Sequence, residues 1–264
     1  MAAGHDDVTE DTLLDGRIRF RQPASGYRVG IDPVFLAAAV PARNGERVLD
    51  VGAGAGAAAL CLAARVPGVR VTGLDFERTM VRIASENAKA NGMAERVEFF
   101  LGNLLTPPIR LTPASFDHVM ANPPYAAEGS GNPPPDPTKA AATVEGADAG
   151  LGEWLRFCLL MVRPKGTVTL IHRADRLADL LAGLTGKLGD IAIFPLWPTG
   201  DGRRPAKRIL ISGRRGVGGP LAIMPGLLLH EPDGSYTAAA DRILRRGEAL
   251  ASARPGPGAQ ATRP

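Results

Sequence analysis

Short apolar runs alternate with helical segments along the first half of this chain, and this order constrains the fold more than any other feature. Four runs are typical of buried strands: residues 47–51, 69–74, 96–101 and 116–121. Segments with the apolar spacing of helices lie between them, at residues 57–66 and 77–90. A repeating strand–helix–strand order is typical of a parallel sheet with helices on both faces. We therefore predict an α/β fold with a mostly parallel sheet.

The second half of the chain continues the pattern with one change of strand direction. The predicted elements are a helix at 151–162, a turn at 164–166, a strand at 167–172, a helix at 173–184 and strands at 191–196 and 208–212. A Gly/Pro/Arg-rich loop joins the last two strands, so we expect them to pair antiparallel. The proline-rich residues 128–150 predict a long loop, and the tail after Ala251 predicts disorder.

The composition excludes several classes of protein. With 264 residues, 45% of them hydrophobic and 22% charged, the chain can bury a full core. Its apolar runs are shorter than the ~18 residues of a membrane span, and its acidic first residues argue against a signal peptide. Cys61 and Cys158 supply neither a disulfide framework nor a multi-thiolate zinc site, and the histidines lack metal-ligand spacing. We predict a cytoplasmic protein with no metal and no membrane partner, and with both cysteines buried in helices.

A glycine-rich loop follows the first predicted strand. Its spacing is D-x-G-x-G-x-G, made by Asp50, Gly52, Gly54 and Gly56. Glycines permit a tight turn and let the backbone approach a ligand closely. A carboxylate at this position would repel the pyrophosphate of a dinucleotide, whereas it could accept a hydrogen bond from the α-ammonium group of S-adenosylmethionine. The loop therefore predicts a site for S-adenosylmethionine, with simple turn chemistry as the alternative.

Polar residues at the ends of the next two strands extend this predicted site. Asp75 ends the second strand, where a carboxylate can accept hydrogen bonds from both ribose hydroxyls of a nucleoside. The alternative role of Asp75 is a helix N-cap. Asn103 follows the third strand, and we predict that it lies beside the edge of the adenine ring.

The motif Asn-Pro-Pro-Tyr follows the fourth predicted strand, at residues 122–125. Two prolines fix the backbone and remove two N–H donors, which leaves the Asn122 side chain and the Pro123 carbonyl oxygen to face one small polar group. Two acceptors suit an exocyclic NH2 group, because accepting both protons favours a pyramidal nitrogen whose lone pair points at a methyl donor. Tyr125 would supply a face on which a flipped base stacks. We predict Asn122, Pro123 and Tyr125 as catalytic residues, and a rigid turn is the alternative.

Positive charge is concentrated late in a chain whose formal net charge is +4. The basic residues of one short stretch are Arg203, Arg204, Lys207, Arg208, Arg214 and Arg215. Such clusters suit contacts with phosphate groups, and we predict Arg203, Arg204 and Lys207 as contacts to nucleic acid. A solvated basic surface is the alternative.

Together these features resemble the bacterial tRNA1(Val) adenine N6-methyltransferase family, a group of class I methyltransferases of the amino-methylating type. The resemblance covers most of the chain and rests on residues 16–18, 26–32, 48–56, 122–125 and 207–211. It implies a Rossmann-like sheet of seven strands with the last one antiparallel, S-adenosylmethionine as the donor and an adenine in tRNA as the acceptor. It also implies that the segment before the glycine loop covers the methionine end of the cofactor, which places Arg28 and Asp32 near the cofactor.

The resemblance divides the chain into four parts. Residues 1–46 would cover the cofactor, residues 47–215 would form the methyltransferase domain, residues 216–250 would pack on it as an extension, and residues 251–264 would form a disordered tail. Within the first part, Asp32-Pro33 also has the pattern of a helix start, with Asp at the N-cap and Pro at the first helical position.

Three other functional interpretations are compatible with the same motifs. A glutamine side-chain amide, as in a peptide release factor, also offers an NH2 group to Asn122, but the basic stretch favours RNA, and we expect no helical N-terminal domain of the kind usual in the glutamine enzymes. An adenine in DNA is a further acceptor, although no additional target-reading domain is visible. The third reading is a binding module that holds a nucleoside or nucleic acid without turnover. The presence of Asp50, Asp75 and Asn122 together argues against it.

Overall fold

The computed structural model describes residues 8–25, 28–124, 149–200 and 204–250. The strands are β1 Val8–Leu13, β2 Ile18–Pro23, β3 Arg47–Val51, β4 Arg70–Asp75, β5 Val97–Leu101, β6 Phe116–Ala121, β7 Val162–Arg173, β8 Leu188–Thr199, β9 Arg208–Arg215, β10 Ala222–Ile223 and β11 Leu227–His230. The helices are α1 Asp32–Ala39, α2 Ala57–Arg65, α3 Arg78–Ala90, α4 Leu151–Met161, α5 Leu177–Leu184 and α6 Ala238–Arg246, and a 3-10 turn covers Ala174–Arg176. Within this part of the chain, no helix is long and apolar enough to cross a bilayer.

The central sheet has the strand order β10-β8-β9-β7-β6-β3-β4-β5, and β11 also pairs with β8. From β5 through β7 all neighbours are parallel, whereas β9 lies antiparallel between β7 and β8. The strands from β3 to β9 therefore confirm the predicted Rossmann-like sheet and its antiparallel last strand. The predicted antiparallel pairing of the two late strands is also confirmed.

Apolar side chains pack on both faces of this sheet. Along β3, Val48 joins the cluster beneath α1, α2 and α3, whereas Leu49 joins the cluster beneath α4 and α5. Because successive side chains of a strand point to opposite faces, strands buried on both faces read as continuous apolar runs. Cys61 in α2 and Cys158 in α4 are buried free thiols, as predicted.

Two predicted features of the second half differ from the structure. The turn expected at residues 164–166 lies inside β7, where the register with β6 shifts between Phe116 and His118. Lys165 has a φ of 66°, and a Cβ on Gly166 would lie 2.5 Å from the carbonyl oxygen of Asp117. The turn residues therefore form a bulge within a continuing strand. The helix expected from residue 173 begins only after the 3-10 turn.

The hairpin β1–β2 is an element that the apolar pattern did not predict. Asn87 of α3 holds it in place: the Asn87 side chain exchanges two hydrogen bonds of 2.8 Å with the backbone of Arg21. The same Nδ2 atom also donates to the carbonyl oxygen of Ala55, at 3.0 Å. One buried amide thus couples the hairpin to the glycine loop, and the hairpin forms part of the wall of the site described below.

The C-terminal strand β11 and helix α6 were also not predicted. The Thr237 side chain caps α6 by accepting a hydrogen bond from the Ala240 amide at 3.2 Å. The Leu250 amide donates to the carbonyl oxygen of Ala38 at 2.8 Å, so the end of the described chain lies against α1. The division of the chain into the four parts given above stays a prediction.

Candidate active site

A pocket opens at the edge of the sheet where β3, β4 and β6 end. The carboxyl ends of parallel strands meet at one edge, so the loops that follow them converge there. The lining residues are Gln22, Pro23, Val29, Pro33, Leu36, Asp50, Gly52, Ala53, Gly54, Ala55, Ala57, Ala58, Asp75, Phe76, Glu77, Met80, Asn122, Pro123, Pro124 and Trp154. The predicted site residues that meet here are Asp50, Gly52, Gly54, Asp75, Asn122 and Pro123.

Glycine is required at the three positions of the loop for different structural reasons. Gly54 has a φ of 54°, and a Cβ there would meet no atom within 4 Å, so its backbone is open to a ligand. A Cβ on Gly52 would lie 2.3 Å from Cη2 of Trp154, and one on Gly56 would lie 2.7 Å from Cζ of Phe99. Gly52 and Gly56 therefore allow close packing behind the loop, whereas Gly54 allows close approach from the pocket.

Asp50 places a buried carboxyl group in the pocket wall. Its side chain is 2% exposed, and among the described residues its Oδ2 atom has no hydrogen-bond partner. Burial raises the pKa of Asp50 to about 8; the nearby Ala59 amide lowers this pKa, and the charge of Asp75 raises it. A buried acceptor without a partner is costly, so a cationic donor bound in the pocket would stabilise the ionised Asp50.

Asp75 is fixed by the glycine loop. Its Oδ2 accepts a hydrogen bond from the Gly54 amide at 2.8 Å, and its Oδ1 accepts one from the Glu77 amide at 2.9 Å. Burial raises the pKa of Asp75, and the backbone amides around the carboxyl group lower it. Each carboxylate oxygen can accept more than one hydrogen bond, so Asp75 orders the loop and still offers acceptors to a ligand. The alternative role is not observed, because α3 begins at Arg78 without a side-chain cap.

A buried histidine supports the turn that follows β6. His172 of β7 is fully buried, and its Nε2 atom lies 3.1 Å from the carbonyl oxygen of Pro124. A carbonyl oxygen can only accept, so Nε2 carries the proton in this contact. Pro123 and Pro124 have no backbone N–H of their own. The histidine therefore gives the proline turn a polar anchor to the next strand.

Arg28 and Asp32 line a second cavity and not this pocket. Nη2 of Arg28 lies 2.7 Å from Oδ2 of Asp11, and Oδ2 of Asp32 lies 2.8 Å from Nε of Arg208. The structure therefore places these two predicted cofactor residues in ion pairs beside the second cavity. It does not bring them together with the carboxylates of the first pocket.

The remaining predicted residues have three different positions. Asn103 is not among the described residues that line the pocket, and its Oδ1 accepts from the Leu105 amide at 2.8 Å within its own turn. Lys207 lines the second cavity, and Arg204 is exposed. Predicted features outside the described residues are Tyr125, Arg203, most of the loop 128–150 and the tail 251–264. No group of three or more His, Cys, Asp or Glu in the described ranges could hold a metal ion.

Three residues of the site were missed from the sequence. Trp154 lies in an apolar helical run, which looks the same for a core residue and for a residue packed on a loop. Phe76 is 61% exposed at the pocket, directly after Asp75, and this adjacency was the available signal. His172 lies near the end of a strand parallel to β6, at the same edge as Asn122, and that position could have indicated a role.

Comparisons with known proteins give the fold independently. A family model described as the methyltransferase small domain matches residues 26–134. A solved structure of a predicted O-methyltransferase from Agrobacterium tumefaciens, protein Atu636, superimposes with a TM-score of 0.68. It covers 83% of this chain and 97% of its own, at 24% identity. This similarity supports the class I methyltransferase fold and carries no argument about the acceptor.

Curated relatives distinguish between the amino-methylating groups. The tRNA1(Val) (adenine(37)-N6)-methyltransferase of Aeromonas hydrophila is 30% identical over 221 residues, which cover 83% of this chain and 87% of the relative. The release factor glutamine methyltransferase of Chlorobaculum tepidum is 36% identical over 95 residues, which cover 36% of this chain and 32% of the relative. Only the first similarity extends over most of both proteins. The chain therefore belongs to the tRNA1(Val) (adenine(37)-N6)-methyltransferase family.

Proposed function

We propose that this protein transfers a methyl group from S-adenosylmethionine to the exocyclic N6 nitrogen of an adenine in tRNA. One observation carries the proposal: the buried carboxyl groups of Asp50 and Asp75 share a pocket with the turn that begins at Asn122, in a chain of this family. The carboxylates suit a cationic nucleoside donor, and the acceptors of the turn suit a planar amine.

The cofactor side of the pocket fits S-adenosylmethionine. Oδ2 of Asp50 would accept a hydrogen bond from the α-ammonium group, and Asp75 would accept hydrogen bonds from the ribose hydroxyls. Phe76 offers an apolar face to the adenine ring at the exposed side of the pocket. When bound, the cofactor supplies an electrophilic methyl group on its sulfonium.

The acceptor side would act on the amine of the target base. An amino nitrogen on an aromatic ring is a weak nucleophile, because its lone pair is delocalised into the ring. The side-chain oxygen of Asn122 and the carbonyl oxygen of Pro123 would each accept one N–H proton, which favours a pyramidal nitrogen with a localised lone pair. His172 would keep these two acceptors in position through its contact with Pro124.

A tRNA acceptor also fits the distribution of charge. Arg204 and Lys207 are exposed residues immediately before β9, and we propose them as phosphate contacts. Phosphate contacts supply affinity and orientation but carry no base sequence, so the choice of adenine would depend on the pocket and on RNA shape. A cytoplasmic location follows from a tRNA acceptor and stays a prediction.

A glutamine side chain in a protein is the second candidate acceptor. Its amide offers the same two protons, and the match to the release factor enzyme includes 95 residues at 36% identity. That match covers about a third of each protein, whereas the match to the tRNA enzyme covers most of both chains. The tRNA acceptor is therefore favoured.

Transfer of a radiolabelled methyl group to total tRNA, to a peptide release factor and to DNA tests the proposal. We expect label in tRNA, recovered as N6-methyladenosine after digestion to nucleosides, and background label in the other two substrates. Label in the release factor alone would show that the glutamine reading is correct. Binding of S-adenosylmethionine by calorimetry without transfer to any of the three would support a binding module.

A further inference from the structure

A second cavity lies beside the candidate active site. It opens between the start of α1, the end of β8, the start of β9 and the end of β11, and its lining includes Arg28, Asp32, Lys207, Arg208 and His230. Strands β8 and β11 run parallel to β7, and β9 runs antiparallel. These strand ends therefore lie along the same edge of the sheet as the ends of β3, β4 and β6.

One short segment separates the second cavity from the first pocket. Val29 and Pro33 line the first pocket, whereas their neighbours Arg28 and Asp32 line the second cavity. Residues 28–33 therefore contribute side chains to both openings. A polymer with its reacting unit in the first pocket would place an adjoining unit at the second cavity.

Positive charge predominates in the second cavity, where three cations face one carboxylate in the described lining. Arg208 is oriented by its ion pair with Asp32, and Arg28 by its pair with Asp11. A guanidinium group has five N–H donors, so Arg28 can hold one carboxylate and still donate to a phosphate. Lys207 is exposed and adds a mobile cation. This set of donors suits a singly charged phosphodiester group.

An aromatic pair adjoins the cations. The ring of His230 stacks on Tyr236, with centroids 4.8 Å apart and an interplanar angle of 27°. Nδ1 of His230 lies 3.1 Å from the carbonyl oxygen of Pro198, which fixes the ring. Tyr236 is 37% exposed. His230 lines the cavity and Tyr236 extends the aromatic surface beside it. Aromatic rings next to basic side chains are the usual arrangement for stacking an unpaired base.

We propose that the second cavity binds the nucleotide adjoining the target adenosine, with its backbone phosphate at Arg28 and Lys207 and its base against the stacked rings of His230 and Tyr236. This inference rests on the proposed function, because it takes the same RNA as the acceptor. It gives Arg28 a role in RNA binding in place of the cofactor contact implied by the family resemblance. The site holds the strand next to the reacting base and so orients that base for transfer.

The test compares the double variant Arg28→Gln, Lys207→Gln with a matched control, Arg70→Gln, Lys89→Gln. Both control residues are exposed, and Arg70 begins β4 at the opposite edge of the sheet. Fluorescence anisotropy gives the affinity for total tRNA over a range of salt concentrations, and calorimetry gives the affinity for S-adenosylmethionine. We expect the double variant to bind tRNA about tenfold or more weakly, with a salt slope reduced by about 2 for two lost phosphate contacts. Cofactor affinity should stay the same in both variants.

Equal tRNA affinity and equal salt slope in the double variant and the control would overturn the inference. Because Arg28 also holds Asp11, the single variant Lys207→Gln provides a check that leaves this ion pair intact, and we expect a slope reduced by about 1. An unchanged slope in that variant would also count against the site. Methyl transfer by the wild-type protein separates the two proposals. Transfer to tRNA with unaltered tRNA binding in both variants would contradict the cavity assignment and the phosphate contact proposed for Lys207, and would leave the proposed methyl transfer intact.

Inorganic phosphate distinguishes a nucleotide site from a site for free phosphate. We expect Tyr236→Ala to weaken tRNA binding by about tenfold, because stacking on aromatic rings contributes this much for one base. The same substitution should leave weak competition by inorganic phosphate unchanged. Tight binding of inorganic phosphate, together with tRNA affinity that is insensitive to Tyr236→Ala and to the double variant, would show that the cavity binds free phosphate.

Discussion

The two sides of the candidate active site differ in the kind of contact that holds their described residues. On the cofactor side, the Asp75 carboxylate holds the Gly54 amide, Trp154 packs on Gly52, and Asn87 ties the loop to the hairpin. On the acceptor side, the turn after β6 has His172 as its buried polar anchor.

This difference indicates which property a single substitution should change on each side. The cofactor side is part of the sheet and its packed loops, so a change there alters binding energy and stability together. In the proposed mechanism the acceptor side is a short turn that positions two oxygen atoms, so a change there should alter geometry at the reacting nitrogen. Positioning effects appear in turnover, and uniform binding effects appear in affinity.

The largest effect is expected from Asn122→Ala, which removes one of the two proposed acceptors of the amine. We expect turnover with tRNA to fall by about 10²–10³-fold, as for the loss of one positioned polar group at a reacting centre. Cofactor affinity should change by less than about threefold, because the carboxylates of the other side remain. Single-turnover transfer and calorimetry measure the two quantities.

Asn44→Ala is the control for this substitution. Asn44 precedes β3 at the opposite edge of the sheet, where its Oδ1 accepts from the Gly68 amide at 3.0 Å. We expect it to cost stability without a specific loss of turnover. If Asn122→Ala kept the turnover of this control, the proposed role of the amide would be wrong, and the contrast between the two sides would disappear.

An intermediate effect is expected from Asp50→Asn on the cofactor side. The substitution would remove the proposed charge-assisted hydrogen bond to the α-ammonium group, worth about 1.5–3 kcal/mol, so cofactor affinity should fall by about 10–100-fold. Turnover at saturating cofactor should change much less. Asp15→Asn, at an exposed aspartate in the hairpin turn, provides the matched control. Unaltered cofactor affinity in Asp50→Asn would contradict the assignment.

In the ligand-free protein, Asp50→Asn should change how stability depends on pH. Burial raises the pKa of Asp50 to about 8 from 3.8, so between these pH values the unfolded chain releases a proton that the folded protein retains. Stability of the ligand-free protein therefore falls as the pH rises from about 4 to about 8, and levels off above that range. We expect this loss to be smaller in Asp50→Asn, measured by thermal unfolding across the range. A wild-type midpoint that does not fall relative to the variant would contradict the proposed cause.

The same two sides differ in how far the sequence predicts them. The bounds of strands β3 to β6 agree with the predicted runs to within one residue, because strands buried on both faces are continuous apolar runs. Parallel strands bring their carboxyl ends to one edge, so Asp50, Asp75 and Asn122 could be placed together before any coordinates. Local pattern and topology were sufficient for these residues.

The sequence could not predict which cavity a residue lines or which distant residues touch, as shown by Arg28, Asp32 and His172. The segment before the glycine loop was expected to cover the cofactor, but neighbouring residues of this segment line two different cavities. Nothing in the sequence pattern decides which residue lines which cavity. The contact between His172 and Pro124 joins two residues that are 48 positions apart in the chain. Such contacts depend on register between strands, which apolar periodicity alone does not determine.

The smallest effect is expected at this last contact, and it tests whether the acceptor side depends on its anchor. His172→Leu removes the donor to the Pro124 carbonyl oxygen, whereas His172→Gln retains an N–H group that can reach it. We expect turnover to fall by about tenfold in His172→Leu and by about threefold or less in His172→Gln, with cofactor affinity unchanged in both.

His118→Leu is the matched control, since His118 is a buried histidine of β6 that contacts Glu46 at 2.9 Å. We expect His118→Leu to lose stability without losing turnover, and glutamine to restore turnover at His172. These two results would assign the loss of turnover in His172→Leu to positioning of the turn. Equal turnover in the leucine and glutamine variants of His172 would show that the turn is held by other contacts.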